Sequence, residues 1–203
     1  MNVLFVHGMG RSSFSWIATR IRFITSGINC SVFDYSVAKQ DFSSIADDLL
    51  KVIARLSMRG DYVVVGHSLG GVLSRVAIDM LPVEISLPKK LFLLGSPIAS
   101  SQLANRLNNF SIFDKLTGDC GNLLGSQEKM ASIPVPKIPT IAIVGTSGVT
   151  GPLSPFGSEI NDGVVSISEV SADWFCEMIH VPVIHTFLPS SKLVSKIILE
   201  RLL

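Results

Sequence analysis

Four short runs of this chain are apolar at every position: Val3-Leu4-Phe5-Val6, Val63-Val64-Val65, Leu91-Phe92-Leu93-Leu94 and Ile141-Ala142-Ile143-Val144. A strand with one wet face alternates apolar with polar residues, so a strand apolar on both faces has to be covered on both. Longer amphipathic stretches separate these runs. Ser13–Thr25 reads as a helix, and so does Phe42–Leu56, with Ile45, Leu49, Val52, Ile53 and Leu56 along one side. Cys30–Asp34 reads as another strand, Val72–Leu81 as a helix closed by Pro82, Trp174–Val181 as the last strand and Lys192–Leu202 as the last helix. Buried strands alternating with helices predict an α/β fold, a mostly parallel sheet with helices on both faces. The 203 residues suffice for one domain or at most two small ones, and they read as a single domain, 1–203.

Charged residues make up 16% of the chain, against roughly 25% in an average domain. The deficit falls on the surface, part of which is then expected to be apolar and used. A formal net charge of +1 lacks the electrostatic footprint of a nucleic-acid binder. No apolar run approaches the roughly 18–20 residues that span a bilayer, so no transmembrane segment is expected. Met1 runs straight into Val3–Val6, with no basic stretch and no long apolar stretch of the kind a secretory leader has. A cytoplasmic location is the expectation. Cys30, Cys120 and Cys176 are odd in number, widely spaced and outside any metal-binding pattern, so they read as buried, reduced thiols.

One segment breaks the rhythm. More than forty residues separate the runs at Leu91 and Ile141. They hold a helical stretch at Ser101–Asn109, a mixed stretch at Phe113–Ala131, and prolines at 134, 136 and 139 that force an extended return to the sheet. A connection that long is usually functional or has structure of its own. Residues 97–137 are therefore read as a lid or pocket-wall insertion, with plain packing as the alternative.

The chemistry is concentrated at Gly66-His67-Ser68-Leu69-Gly70. This G-x-S-x-G follows a strand and opens a helix, the setting a nucleophile elbow requires. Glycines on both sides let strand and helix approach closely while the serine takes a strained backbone. Ser68 then stands at the carboxyl end of the sheet, where open α/β sheets place their ligands. A hydroxyl is a weak nucleophile at neutral pH and needs a base, itself held by a third group. Of four histidines, His7 follows the first strand, His67 lies within the elbow and reads as structural, and His180 falls inside the last strand and reads as packed. His185 follows that strand on the loop edge that carries Ser68, and is the expected base. Asp162, in Asn161-Asp162-Gly163, precedes it in the order such chains use. Asp173 is expected at the opposite edge of the sheet. The tetrahedral oxyanion needs backbone donors. Leu69 N–H, just after the nucleophile, and Met9 N–H, in His7-Gly8-Met9-Gly10 after the first strand, are the candidates.

Taken together, Val6-His7-Gly8-Met9-Gly10-Arg11-Ser12-Ser13-Phe14, Gly66-His67-Ser68-Leu69-Gly70-Gly71, Gly95-Ser96-Pro97, Asn161-Asp162-Gly163-Val164-Val165 and His185-Thr186-Phe187-Leu188 resemble the α/β-hydrolases. Among these they are most similar to the small, compact bacterial lipases and esterases, and the related lipid-anchor deacylases use the same machinery. The resemblance spans nearly the whole chain. It implies a six-stranded core, since no room precedes Val3 for two further strands. It implies that the residue after His-Gly, here Met9, lends an oxyanion N–H. It also implies that the Asn-Asp-Gly aspartate, Asp162, is the triad acid and that the histidine some two dozen residues later, His185, is the base. Pro97-Ile98-Ala99-Ser100-Ser101 departs from the Pro-His-x-Gly-Ser that many lipases carry.

The expected activity is therefore that of a serine carboxyl-ester hydrolase, a lipase or esterase working through an acyl-enzyme, with a histidine base whose rate rises through about pH 6–7. No cofactor and no metal are required. Leu103, Leu107, Phe110, Ile112, Phe113 and Leu116 favour an apolar acyl ester as substrate, with contact to a lipid interface. A thioesterase, a lipid-anchor deacylase and a non-catalytic binding protein on the same fold are the alternatives.

Overall fold

The computed structural model of the chain describes residues 1–107, 111–152 and 154–202. Among them, six strands form one sheet: β1 (Asn2–Val6), β2 (Asn29–Phe33), β3 (Tyr62–His67), β4 (Leu91–Leu94), β5 (Thr140–Gly145) and β6 (Glu177–Val181). Their order is β2-β1-β3-β4-β5-β6, and every pairing is parallel. The helices are α1 (Ile17–Thr25), α2 (Phe42–Ser57), α3 (Leu69–Asp79), α4 (Gln102–Leu107), α5 (Ser111–Gly125), α6 (Gln127–Ala131), α7 (Ile167–Val170) and α8 (Lys192–Leu199), with 3-10 turns at Ser13–Trp16 and His185–Ser190.

The uniformly apolar runs become the inner strands because side chains alternate across the sheet. Leu4, Val6, Val64, Leu91 and Leu93 meet Ile45, Leu49 and Ile53 of α2 and Leu69, Val72 and Leu73 of α3. On the other side Val3, Phe5, Val63, Val65, Phe92 and Leu94 lie under Phe23 of α1 and Val194 and Ile198 of α8. Each such side chain, fully buried, contributes roughly 1.5–3 kcal/mol. The chain leaves β1 for β2 on one side, then returns to place β3 on the other. The crevice beyond the carboxyl ends of β1 and β3 is thus the switch point of the sheet, the place such folds reserve for ligands.

Several boundaries differ from expectation. The helix expected from Ser13 opens as a 3-10 turn, with Asp34 Oδ1 accepting the Ser13 amide at 2.8 Å. α3 begins at Leu69, three residues early, because the elbow feeds straight into it. α8 stops at Leu199. β6 starts only at Glu177; Trp174 instead packs its ring against the Arg75 guanidinium, 5.3 Å away. The stretch expected to be mixed is two helices, α5 and α6, with α5 broken at Gly118 (φ +54°). Asn109 and Phe110 lie outside the described residues. Cys120 is buried as expected, but Cys30 is half-buried and Cys176 exposed. Cys176 leads into β6, an edge strand with one neighbour. For the same reason His180, expected to be packed, is exposed. Asp173 is exposed too, ahead of that edge strand.

Candidate active site

Ser68 occupies φ +52°, ψ −126°, and among the described residues it is the one non-glycine with positive φ. Strain of this kind costs on the order of 1–3 kcal/mol and persists only where the surroundings enforce it. Here they do. The Ser68 amide donates to Leu94 O (3.0 Å), and its carbonyl accepts from Gly71 N (2.9 Å) and Ser96 Oγ (2.8 Å). A Cβ on Gly66 would lie 2.5 Å from Gly71 Cα, and one on Gly70 2.5 Å from Val6 O. Strand, elbow and helix pack too closely at these two positions for any side chain. Leu69 opens α3, so its N–H has no acceptor within the helix. Met9 comes from the neighbouring loop after β1 and lines the same cavity as Ser68.

The long loop after β5 delivers Asp162, and the chain after β6 delivers His185. The Asp162 carboxylate is fully buried. Its Oδ1 accepts from Val164 N (3.0 Å) and Val165 N (2.9 Å), and its Oδ2 lies 2.6 Å from His185 Nδ1. The backbones are joined as well: His185 N–H donates to Asp162 O at 2.9 Å. Asn161 locks the loop by donating to Val149 O and Glu159 O and accepting from Gly163 N. The imidazole therefore donates Nδ1–H to a carboxylate, which leaves Nε2 as its basic atom. Among the described residues no hydrogen bond joins Ser68 Oγ to His185. Such bonds are often long in an unliganded site and tighten around a substrate.

The other histidines are engaged elsewhere. His7 is buried, its ring stacked 4.3 Å from that of Tyr35, with Nε2 accepting the Tyr35 amide and Nδ1 donating to Gly8 O. His67 lies with its ring centroid 4.6 Å from that of His185 and donates Nε2–H to His185 O at 3.1 Å. Burial first, and the neighbouring His185 second, hold its basicity well below the usual imidazole value. It is a neutral support under the His185 main chain. A cavity of about 170 Å3 opens beside Ser68, lined mainly by Met9, Pro97, Leu103, Leu124, Val164 and Val165. No group of three or more His, Cys, Asp or Glu among the described residues is arranged to hold a metal ion, and no helix among them is long and apolar enough to cross a membrane.

Residues 3–138 match the model of a family described as the alpha/beta hydrolase family. The chain belongs to the alpha/beta hydrolase family. The match covers Met9, Ser68 and Leu69 but ends before Asp162 and His185. No match is found among curated proteins. Solved structures similar to this hydrolase include the mature form of the Bacillus licheniformis lipase BlEst2, with a TM-score of 0.72 at 19% identity over 99% of this chain and 91% of that one. The RedJ thioesterase of prodiginine biosynthesis in Streptomyces coelicolor gives 0.68 at 14% identity over 100% and 89%. A lipase-esterase related protein from Clostridium acetobutylicum gives 0.62 at 15% over 98% and 93%. At these identities the likeness is one of fold.

Two residues of the hydrolase's site escaped the sequence reading. Arg11 donates from Nη2 to Thr186 Oγ1 (2.8 Å), tying the loop that holds Met9 to the residue after His185. Nothing local in the sequence announces that bond. Glu169 is buried, and burial pushes its carboxyl up. It accepts the amides of Gln102 and Ser166, and its carbonyl accepts those of Ile98 and Ala99. It thereby ties the start of α4, which brings Leu103 to the cavity, to the segment beyond Asp162. Its signal was present: Ser166 and Glu169 form an S-x-x-E capping box at the start of α7.

Proposed function

We propose that this hydrolase cleaves a carboxylic ester of an apolar acyl group through an acyl-enzyme. Ser68 Oγ attacks the acyl carbon while His185 Nε2 takes its proton. Asp162 keeps the ring in the tautomer that leaves Nε2 free and stabilises the cation that forms. The Met9 and Leu69 amides hold the oxyanion; one such donor is typically worth about 2.7–4 kcal/mol of barrier. His185 then protonates the departing alcohol. Water attacks the acyl-enzyme with the same base and frees the acid and Ser68. The observation that carries the reading is the 2.6 Å Asp162–His185 hydrogen bond beside a serine held in strained backbone.

The cavity next to Ser68 is apolar and smaller than the roughly 300–1,000 Å3 of drug-sized sites. It suits a short acyl chain, and residues 97–137 act as its wall through Pro97, Leu103 and Leu124. The likeness to the RedJ thioesterase supports a second reading, a thioester substrate on the same residues.

A fluorophosphonate probe and a series of p-nitrophenyl esters and acyl thioesters test both readings. Labelling at Ser68, lost in Ser68→Ala, with a rate maximum at short acyl esters is the expected result. A preference for the matched thioester favours the second reading. No labelling and no turnover of either series rejects catalysis and leaves a binding protein.

A further inference from the structure

The apolar cavity beside Ser68 has two walls that come from distant parts of the chain. Pro97, Leu103, Ala104 and Leu124 form one, on the insertion that follows β4; Val164 and Val165 form the other, on the loop that carries Asp162. The far part of the insertion is fastened elsewhere: Asp119 accepts the Phe42 amide, and Arg75 donates to the Ile133 and Pro134 carbonyls. At the cavity it is fastened by Glu169. This residue is only 3% exposed, and each oxygen of its carboxylate accepts a backbone amide, Oε1 that of Gln102 at 2.5 Å and Oε2 that of Ser166 at 2.9 Å. Gln102 opens α4 on one wall. Ser166 follows Val165 of the other.

Burying a carboxylate is costly unless its oxygens are paired, and here the pairing joins the two walls. The Ser101 amide donates to Leu124 O at 2.8 Å, so the start of α4 and the end of α5 are tied to each other. The Ile98 and Ala99 amides donate to the Glu169 carbonyl at 2.7 and 3.1 Å. Those bonds do not involve the Glu169 side chain and leave a pivot just ahead of α4. The bond from the Gln102 amide to Oε1 therefore fixes how far Leu103, Ala104 and Leu124 stand from Val164 and Val165.

We propose that Glu169 is a positioning residue for acyl-chain selectivity: through the Gln102 amide it holds the α4 wall closed on a short chain. The proposal deepens the ester-hydrolysis reading and rests on the same cavity. Two substitutions cut this one bond from opposite ends. In Glu169→Gln the single amide oxygen keeps the Ser166 amide, since glutamine also closes a capping box, and the NH2 group is turned to the Gln102 amide. Gln102→Pro removes the donor. Proline suits the first position of a helix, and Ser101 Oγ, which accepts the Ala104 amide, still caps α4.

The kcat/KM of p-nitrophenyl octanoate relative to that of p-nitrophenyl butyrate decides it. Each variant is expected to raise this ratio about tenfold over the parent, chiefly through KM, because room for methylene groups in an apolar pocket changes binding by that order. Thermal unfolding shows which variants are folded, and Gln102→Pro carries the test if Glu169→Gln is not. A ratio unchanged in either folded variant, including an equal loss on both esters, overturns the proposal and makes Glu169 a support for the fold or for Asp162. Failure of both variants to fold overturns it too, since the bond then holds up the fold. If the parent turns over no ester and Ser68 takes no fluorophosphonate, the hydrolysis reading fails by itself. The Kd of octanamide relative to butyramide, read by calorimetry, then decides the proposal. A shift of about tenfold toward octanamide in the variants supports it; no shift, or no binding of either amide, overturns it.

Discussion

The two halves of the site are built by different means. The elbow half, at the ends of β1 and β3, is made of main chain: a strained Ser68 and glycines packed too tightly to accept a side chain. The half proposed as the acid–base pair hangs on connections between elements. Asp162 lies in a loop and His185 at the start of a 3-10 turn, and they are held by hydrogen bonds from Val164 and Val165 to the carboxylate and from His67 to the His185 carbonyl. The first half is rigid because its neighbours are elements of the sheet core. The second is rigid only while its polar groups stay paired. The difference teaches where each half breaks: the elbow through sterics, the acid–base pair through proton and hydrogen-bond bookkeeping.

Ser68→Ala gives the sharpest contrast. It is expected to lower kcat by roughly 10^4–10^6-fold while leaving stability unchanged or slightly improved, as seen in steady-state kinetics beside thermal unfolding. A large loss of stability would show that the serine supports the fold. Asp162→Asn is expected to cost roughly 10^3–10^4-fold in kcat. The amide can still accept from Val164 and Val165, but it no longer holds His185 in the useful tautomer. Retention of full activity would remove Asp162 from the site.

Gly70→Ala tests the elbow's packing. The added Cβ meets the Val6 carbonyl, a backbone atom that cannot swing aside. A loss of about 2–4 kcal/mol of stability, read from denaturant midpoints, is expected. A variant as stable as the parent would mean that strand and helix are farther apart than described.

His67→Phe has the smallest effect and the most specific. The folded pKa of His67 lies below its usual 6.5, so as pH falls past 6.5 the unfolded chain takes the proton first. Its contribution is therefore complete above pH 6.5 and declines below it. Phenylalanine keeps a ring beside that of His185, loses the bond to His185 O, and removes this part of the acid slope. Between pH 7 and 5.5 the variant should lose about 1 kcal/mol less stability than the parent. Parallel pH–stability curves would show that His67 carries a proton in the fold.

Much of this was legible from one dimension. Val63–Val65 and Leu91–Leu94 announced inner strands because neither has a polar position to spare for water. Gly66 and Gly70 announced the elbow because its chemistry and its sterics occupy five consecutive residues. His180 and Cys176 were misjudged, since strand pattern does not say which strand is the edge. Glu169 went unread although its capping box was visible, because a local motif does not say that its carboxylate also reaches Gln102, at the start of α4.

Local spacing and hydrophobic period by themselves determined the parallel α/β sheet and the elbow, because each depends on neighbours close in the chain. Tertiary structure decided the rest: that Asp162 and His185 meet, that His67 lies beneath them, and that Arg11 reaches Thr186. Those outcomes rest on contacts between residues far apart in sequence, whose geometry exists only once the sheet has ordered its strands.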